Sequence, residues 1–366
     1  MDACELRKLS RAVSNSAHFS AEAQKHMVAG AKNASPHSDE GLSLWHSRSV
    51  SLCSDAGRWA EQRNSSCSET RSMKHTTSTI FAFASVAAAQ LLVTRQVSDT
   101  AGLKAAMADG SVDDIEMAAG VYRLADEPGL GCAPDPEDAF ICIKRNLTIR
   151  AAAGPAVVLD GGNKKGVVYV GNLVGHLSAS LIGLQITNGK STSGGGGIYN
   201  DATLTVANCS VHDNFQGIVH VGNFLTDTLA VTDSAVFNNK GAGIINSVDT
   251  STARIISTDV HHNCANPYTD GGGIQNLGRL TLINSRVRDN NSTTPEGRGG
   301  GIKNYGSLTL TNSEIFCNNA SELGGGVCNA FESSFRATNT TICFNKATTR
   351  SDDCDVIDLA GQAGPC

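Results

Sequence analysis

The chain has 366 residues, a net charge of −6 and an aromatic content of only 5%. Lysine and arginine form no basic stripe, which argues against nucleic acid as a partner. The 38 glycines, together with many Asn, Ser and Thr residues, favour short strands joined by tight corners over a helical bundle.

The cysteines indicate an oxidising compartment. There are 12 of them, and they are neither clustered nor spaced as CxxC pairs. A zinc knuckle needs such pairs, whereas disulfides are common in secreted proteins. We therefore expect disulfides, no metal site and no cofactor.

The N-terminal part of the chain differs from the rest. Residues 1–72 are rich in Ser and have no apolar period, which is typical of a disordered segment or of an extension added by a faulty gene prediction. Residues 73–89 have a basic start, an apolar run and an Ala-rich end. This pattern predicts a signal peptide or signal anchor, and the run is too short for a stable membrane span.

The internal position of this signal has two explanations. Either Met73 is the true start of the protein, or the extension is real and the run is an anchor or part of a bipartite targeting sequence. An Ala-rich buried core helix is a third interpretation of the same residues. The first explanation predicts a protein that is secreted or at the cell surface.

The segment after the signal predicts a cap. Residues 100–108 have a helical pattern, and strand patterns follow at 114–117 and 120–124. A stacked repeat needs a cover at its first coil, because that coil would otherwise expose unpaired strand edges.

A proline-containing loop is predicted at 126–140. Cys132 and Cys142 bracket this loop and could close it as a disulfide. The first regular strands are expected at 146–149 and 157–162.

Three short phrases then recur and define a repeat. A Leu-Thr-Leu type strand is found at 204–206, 229–231, 280–282 and 308–310. A phrase that runs from Val or Ile to Asn is found at 211–214, 236–239, 260–263, 287–290, 315–318 and 342–345. A Gly-Ile-x-Asn type phrase is found at 197–200, 243–246, 273–276, 301–304 and 326–329. Successive Asn residues of the second phrase lie about 24 to 28 positions apart, a period typical of stacked repeats.

Three strands and three corners per period make one coil of a triangular solenoid. Each strand would pair in parallel with its copy in the next coil, at roughly 4.8 Å. Val, Ile and Leu would face inward, and Gly would supply unusual backbone angles at the corners. We expect an all-β solenoid of about eight to ten coils over residues 97–350, with a short N-terminal capping helix and a C-terminal tail at 351–366.

The repeated asparagines predict two structural ladders, since Asn can bond corner backbone groups while its amide stacks on the next Asn. The first ladder is Asn188, Asn214, Asn239, Asn263, Asn290, Asn318 and Asn345. The second ladder is Asn200, Asn246, Asn276, Asn304 and Asn329, with His220 as an exception.

These phrases resemble the repeat of polymorphic outer-membrane proteins. The whole of 97–350 resembles a right-handed parallel β-helix of the pectin-lyase-like superfamily. That superfamily includes polysaccharide lyases, glycoside hydrolases, epimerases, tailspikes and adhesins, so the resemblance implies the scaffold and does not choose a function.

Outward positions of the second phrase provide the candidate site. They form two columns, because alternate residues face outward and successive coils stack. One column is Ser210, Ala235, Asp259, Arg286, Glu314 and Thr341. The other column is His212, Phe237, His261, Arg288, Phe316 and Cys343.

Asp259, Arg286 and Glu314 are the candidate catalytic residues, an acid and a base flanking a cation that would hold an anionic sugar. The simpler interpretation is a surface ion-pair ladder that contributes little stability. The candidate binding residues that would line the same groove are His212, His261 and Arg288.

A histidine metal site is not expected here. His212 and His261 share a column but lie two coils apart, about 9.6 Å, which is too far for one zinc ion. His261 and His262 are neighbours in sequence and should face opposite sides of their strand.

The last cysteines leave two alternatives open. Cys343 lies near the C-terminus with Cys354 and Cys366, while Cys317 and Cys328 flank one coil. They either form disulfides that hold the last coil or remain buried thiols.

The scaffold, the signal-like segment and the lack of a recognisable catalytic set favour a non-catalytic secreted or cell-surface protein that binds polysaccharide, a cell-surface glycan or another surface partner. The alternative is a polysaccharide-modifying lyase, glycoside hydrolase or epimerase. A third hypothesis is a purely structural wall component. The sequence predicts no deep pocket and leaves the oligomeric state open.

Overall fold

A computed structural model describes residues 92–128, 130–132, 139–171, 176–191, 194–222, 226–266 and 269–348. The predictions for residues 1–72, 73–89 and 351–366 lie outside these ranges. The described chain is a parallel β-solenoid with one short helix.

The predicted capping helix is confirmed. Helix α1 spans Thr100–Ala108. Asp99 begins it, because its side chain accepts a hydrogen bond from the Gly102 N–H at 2.7 Å. Leu103 and Ala106 are fully buried and join the hydrophobic core. The helix therefore covers the apolar end of the first coil.

Three long parallel sheets form the three faces of the solenoid. Face 1 contains β1 (Thr94–Val97), β2 (Asp114–Met117), β5 (Leu147–Ala151), β8 (Ser178–Ile182), β11 (Thr203–Ala207), β14 (Thr228–Thr232), β17 (Thr252–Ile256), β20 (Arg279–Ile283), β24 (Ser307–Thr311) and β28 (Ser334–Thr338). Face 2 contains β3 (Gly120–Arg123), β6 (Val157–Asp160), β9 (Leu184–Thr187), β12 (Ser210–His212), β15 (Ala235–Phe237), β18 (Asp259–His261), β21 (Arg286–Arg288), β25 (Glu314–Phe316) and β29 (Thr341–Cys343). Face 3 contains β4 (Ala139–Ile143), β7 (Gly166–Val170), β10 (Ile198–Asn200), β13 (Ile218–His220), β16 (Ile244–Asn246), β19 (Ile274–Asn276), β23 (Ile302–Asn304) and β27 (Val327–Asn329).

Two minor elements complete the described part of the chain. A short parallel sheet of β22 (Asn291–Ser292), β26 (Asn319–Ala320) and β30 (Lys346–Ala347) lies beyond the end of face 2, and a single 3₁₀ turn spans Leu124–Asp126. The eight strands of face 3 mark eight coils, about seven turns from first to last. About seven turns is slightly fewer than the eight to ten coils expected from the sequence.

Like residues stack above one another because every strand pairs in parallel with its copy. On face 2, the fully buried inward residues include Leu159, Ile186, Val211, Val236, Val260, Val287 and Ile315. These aliphatic columns belong to one continuous core that runs the length of the described chain. The sequence pattern missed β4, whose first residues overlap the predicted loop.

The predicted loop disulfide is confirmed between Cys132 and Cys142. At the other end, Cys317, Cys328 and Cys343 form no disulfide. Of the two alternatives for these three residues, the structure has thiols, and Cys317 is exposed, not buried.

The corners differ from the prediction that glycine supplies their backbone angles. Thirteen non-glycine residues in two rows have φ between 48° and 56°: Asn208, Asp233, Ser257, Asn284, Asn312 and Asn339 before face 2, and Asn188, Asp213, Asn238, His262, Asp289, Cys317 and Phe344 after it. Most are Asn or Asp, which tolerate the left-handed region best after glycine. Glycine of the Gly-Ile-x-Asn phrase is needed for space instead, since a Cβ on Gly273 would lie 2.6 Å from the carbonyl oxygen of Gly301.

Buried asparagines connect the coils at the end of face 2. This face 2 row consists of Asn214, Asn239, Asn263, Asn290, Asn318 and Asn345. Asn263 illustrates the pattern: its Nδ2 and its backbone N–H both donate to Oδ1 of Asn290 at 3.0 Å. The same Nδ2 donates to the carbonyl oxygen of Val236 at 2.9 Å. Each amide thereby satisfies backbone groups that a corner would leave buried and unpaired.

Asn188 does not belong to this row, although the sequence pattern predicts it there. The pairing of β9 with β12 puts Gly189 beside Asn214, and the Gly189 N–H donates to Oδ1 of Asn214 at 2.8 Å. Asn188 takes a left-handed corner position and donates to Asp160 at 2.9 Å. The segment from Ile186 to Asn188 is one residue shorter than the later copies, which run from Val or Ile to Asn over four residues. Aligning the copies by their Asn residues therefore places Asn188 one position out of register.

A second row follows face 3. In this face 3 row, Nδ2 of each residue donates to Oδ1 of the next, at 2.8, 2.7 and 2.6 Å, along Asn246, Asn276, Asn304 and Asn329. Further towards the N-terminus, Asn200 bonds Nδ1 of His220 at 2.8 Å.

His220 interrupts the face 3 row. It is fully buried and pairs in register with Asn246. Its Nε2 and the Oδ1 of Asn246 have no hydrogen-bond partner among the described residues. An asparagine here would donate to that oxygen, as the later members do.

Asn290→Asp tests the face 2 row. The substitution keeps the shape but removes the amide donor to Val260 and Asn318. It buries a carboxylate without a cation, so we expect the free energy of unfolding to fall by about 3 kcal/mol or more. Asn312→Asp at an exposed left-handed position is the matched control, with an expected change below about 0.5 kcal/mol. Urea unfolding followed by circular dichroism measures both, and equal effects would contradict the role of the row.

His220 predicts that stability depends on pH. Burial lowers the pKa of His220 to about 4 in the folded protein, against about 6.5 in an unfolded chain. Between these values only the unfolded chain takes up a proton. Stability is therefore complete above about pH 6.5 and decreases as the pH falls towards 4, by at most about 3 kcal/mol.

The substitution His220→Asn should flatten this pH dependence, because it removes the buried imidazole and supplies a donor to Asn246. Thermal unfolding between pH 4 and 7 measures the slope. His176→Asn, at an exposed histidine, is the control. An unchanged slope in His220→Asn would refute the assignment.

Candidate functional site on face 2

The outward side of face 2 carries the two columns expected from the sequence. Strand pairing aligns Asp259 with Arg286 and Arg286 with Glu314. It also aligns His261 with Arg288. Alternation along each short strand puts the Val or Ile between them into the core, so the columns are two parallel strips of side chains at coil spacing.

The charged residues form two separate ion-pair groups. Arg286 Nε lies 2.9 Å from Glu314 Oε2, and both side chains are more than half exposed. Asp259 pairs instead with Arg288, whose Nη2 lies 2.7 Å from Oδ2. Arg288 Nη1 also bonds Asp289 at 2.9 Å. The candidate catalytic series is therefore split, because the Arg288 side chain reaches diagonally to the preceding coil.

The histidines of the second column form a stack with the phenylalanine between them. His212 and Phe237 have ring centroids 4.8 Å apart, and Phe237 and His261 have centroids 5.0 Å apart, with interplanar angles of 12° and 4°. Both faces of Phe237 are covered by imidazoles. The edge of this strip therefore offers ring nitrogens, and little aromatic face remains for a sugar to stack on.

The prediction that His261 and His262 face opposite sides is wrong. Their Nδ1 atoms are 2.8 Å apart, so one of these nitrogens donates a hydrogen bond to the other. His262 has φ 55° and follows the end of β18. The left-handed corner turns its side chain back towards His261, which simple strand alternation does not anticipate.

The electrostatics of His261 are set by its neighbours. Burial lowers the pKa of His261, and the Arg288 cation lowers it further. Asp259 and Asp289 act in the opposite direction. His212 has a simpler environment, with Nδ1 2.8 Å from the carboxylate of Asp213.

A shallow groove lies beside the first column, where face 1 turns into face 2. Its volume is about 320 Å³. Its lining residues are Asn284, Ser285, Arg286, Asn312, Ser313, Glu314, Asn339 and Thr341. The groove thus contains Arg286 and Glu314 of the candidate catalytic set but not Asp259.

Three exposed asparagines on the rim of this groove are site residues that the sequence reasoning missed. In this corner row, Asn339 donates to Asn312 at 2.8 Å and Asn312 donates to Asn284 at 3.2 Å. The signal in the sequence is the Asn-Ser pair that precedes the second phrase at 284–285 and 312–313. The repeat pattern predicts a corner at this pair of residues but does not predict that their side chains form a binding surface.

A second polar cluster was also missed, on the outward side of face 3. Lys303 is 3% exposed, and its Nζ lies 3.2 Å from Sγ of Cys328. The signal is the variable position of the Gly-Ile-x-Asn phrase, which is Lys in one copy and Cys in the next. Strand pairing places these two copies side by side, which makes the variable position informative.

The described part of the chain contains neither a metal-binding cluster nor a membrane-spanning helix. No cluster of three or more His, Cys, Asp or Glu side chains there is arranged to hold a metal ion. No helix there has the length and apolar character needed to cross a membrane.

Comparisons with known proteins add little to this description. No protein-family model and no curated protein matches the sequence. One matching solved structure is the crystal structure of pectate lyase Pel9A, with 15% identity and a TM-score of 0.44 over 70% of this chain and 73% of that one. The parallel β-solenoid class rests on strand pairing, and the likeness to polymorphic outer-membrane repeats stays a prediction.

Arg288→Met tests the electrostatics of the second column. Loss of the cation leaves Asp259 and Asp289 beside His261, so we expect the pKa of His261 to rise. Arg286→Met removes a cation that pairs with Glu314 instead, and it should leave this pKa unchanged. NMR titration of the imidazole nitrogens measures both variants. A fall in the Arg288→Met variant would contradict the assigned contacts.

Proposed function

We propose that this protein binds a glycan along face 2 and the adjoining groove without modifying it, and that it acts outside the cell or at the cell surface. The observation that carries the proposal is the lining of the groove. Rows of amide and hydroxyl groups repeat at coil spacing, and the charges among them are paired. Such a surface is better suited to binding the hydroxyl groups of a glycan chain than to catalysing the cleavage of a bond.

The corner row supplies the recognition chemistry. Asn284, Asn312 and Asn339 are exposed, and an amide offers both donors and acceptors to hydroxyl groups. Because the three lie on successive coils, a ligand with repeated units could contact each in turn. A shallow groove open along the solenoid suits a long, flexible chain better than a compact small molecule.

The charge pairing favours a neutral glycan over an acidic one. Arg286 is already bound to Glu314, and Arg288 is bound to two carboxylates. Two arginines and three carboxylates sum to −1 when all are ionised. An anionic sugar would have to displace one of the ion pairs.

The same pairs argue against acid catalysis at this place. A glycoside hydrolase needs one carboxyl group that delivers a proton to the leaving oxygen. Asp259 and Glu314 both accept hydrogen bonds from arginines. Neither is therefore arranged as a proton donor.

The alternative, a polysaccharide-modifying enzyme, has one observation in its favour. Asp259 and Glu314 lie two coils apart in one column, a separation of about 10 Å. This is just above the spacing of roughly 6.5 to 9.5 Å between the two carboxyl groups of inverting glycosidases. Hydrolysis with inversion is the reaction class that this spacing would serve.

Location outside the cell is supported by two features. The sequence of residues 73–89 resembles a signal peptide, and Cys132 and Cys142 form a disulfide. Disulfides persist in oxidising compartments. Sequencing the mature N-terminus tests this part directly, with a start near Gln90 as the expected result and retained residues 1–72 as the contrary one.

Binding is tested with the full-length protein on immobilised neutral and acidic polysaccharides. We expect retention on a neutral glycan that changes little between low and high salt, because few free charges contribute. Arg286→Ala should weaken it about tenfold, or about 1.4 kcal/mol. Arg254→Ala, at an exposed arginine of face 1, is the matched control.

The same samples are assayed for new reducing ends and for unsaturated sugars. Retention without either product supports the binding function. Product formation that Asp259→Ala and Glu314→Ala abolish would establish the enzyme instead. Equal weakening by Arg286→Ala and Arg254→Ala would place the binding surface elsewhere.

A further inference from the structure

Lys303 and Cys328 occupy the same outward position on neighbouring coils of face 3. β23 pairs with β27 so that the two residues lie side by side. Lys303 Nζ donates to Sγ of Cys328 at 3.2 Å. Both residues are only 3% exposed, and Cys328 is not in a disulfide. An amine and a thiol are thus held in contact away from bulk water.

The carboxylates nearby are engaged with other groups. The hydroxyl of Tyr305 bonds Asp270, and Arg298 pairs with Glu322 at 2.8 Å. Lys303 Nζ also lies over the ring of Tyr305, 4.8 Å from its centroid. Among the described residues, no carboxylate forms an ion pair with Lys303. A buried ammonium requires a counter-charge, and a thiolate at hydrogen-bond distance supplies one.

We propose that Lys303 and Cys328 form an oxidative modification site, in which a peroxide converts the pair into a covalent sulfur–nitrogen cross-link between two coils. The inference does not depend on the proposed glycan binding. It concerns another face of the solenoid and another class of reactant.

The reaction has two steps, oxidation of the sulfur followed by its condensation with the amine. The Cys328 thiolate attacks one oxygen of the peroxide, the O–O bond breaks, and sulfur becomes a sulfenic acid. With hydrogen peroxide the hydroxide that leaves takes a proton from the Lys303 ammonium and departs as water. The neutral amine then attacks sulfur, the S–O bond breaks, and the second hydroxide leaves as water with a proton from nitrogen. Sulfur loses two electrons, and the peroxide accepts them.

Another buried cysteine shows why the neighbouring amine matters. Cys209 is 2% exposed, and its thiol donates to backbone carbonyls of Ala207 at 3.2 Å and Leu181 at 3.4 Å. Burial raises the pKa of Cys209 to about 11, so it remains a thiol at neutral pH. A thiol is a poor nucleophile towards peroxide compared with a thiolate.

The cross-link would join the last two strands of face 3. Residues 303 and 328 are 25 positions apart, about one period of the repeat. A covalent bond between them closes one complete coil and restricts the unfolded chain as a disulfide would. We expect oxidised protein to unfold at a higher temperature than reduced protein, with the difference removed by dithiothreitol.

The experiment uses the full-length protein and hydrogen peroxide. After treatment, remaining thiols are blocked with N-ethylmaleimide in denaturant, and a protease that does not cut at lysine releases peptides without reductant. Mass spectrometry should find the Lys303 and Cys328 peptides joined, with a mass two hydrogen atoms below their sum. Dithiothreitol should separate them. The Cys209 peptide should remain fully blocked and serves as the internal control.

Two variants separate the steps. Cys328→Ser should give no cross-link. Lys303→Met, with its fold checked by circular dichroism, should give none either, while a dimedone probe should still detect sulfenic acid on Cys328. A cross-link that retains an oxygen atom would overturn the condensation step. In wild-type protein, oxidised Cys328 with unmodified Lys303, or unmodified Cys328 after the exposed Cys317 has been oxidised, would overturn the proposal.

Discussion

The in-register stacking of buried asparagine amides is the constraint on which the rest of this molecule depends. The six coils from Asn214 to Asn345 end face 2 with a buried amide, and one such as Asn263 accepts from the coil before and donates to the coil after. The aliphatic core supplies most of the driving force. The amides determine which residue lies above which, because a slip of one position would leave buried corner groups unpaired.

That register distributes the chemistry over the surface. Most inward positions are Val, Ile or Leu, so polar and charged residues vary mainly in the outward columns and at the corners. On face 2 the outward column places Arg288 where it reaches carboxylates on two coils. On face 3 the same rule places Lys303 beside Cys328. A regular scaffold thus produces different local sites by changing single residues on adjacent coils.

Period and alternation made most of the fold predictable from the sequence. The parallel coils and the outward columns come from these two rules, and the helix at 100–108 comes from its own residue pattern. The errors arose where one copy departs from the period or where a side chain acts across coils. Asn188 belongs to a shortened phrase, His262 turns back at a left-handed corner, and Arg288 reaches diagonally to Asp259. Such features depend on φ angles and side-chain reach, which a count of positions does not contain.

The two asparagine rows also have a polarity. In both, the side-chain amides that bond one another donate towards the C-terminal neighbour, as from Asn263 to Asn290 and from Asn276 to Asn304. The amide dipoles therefore add along the long axis, and linked hydrogen bonds strengthen one another. A further coil, or a second molecule added end to end, can extend these rows only head to tail. The reversed arrangement would set donors against donors.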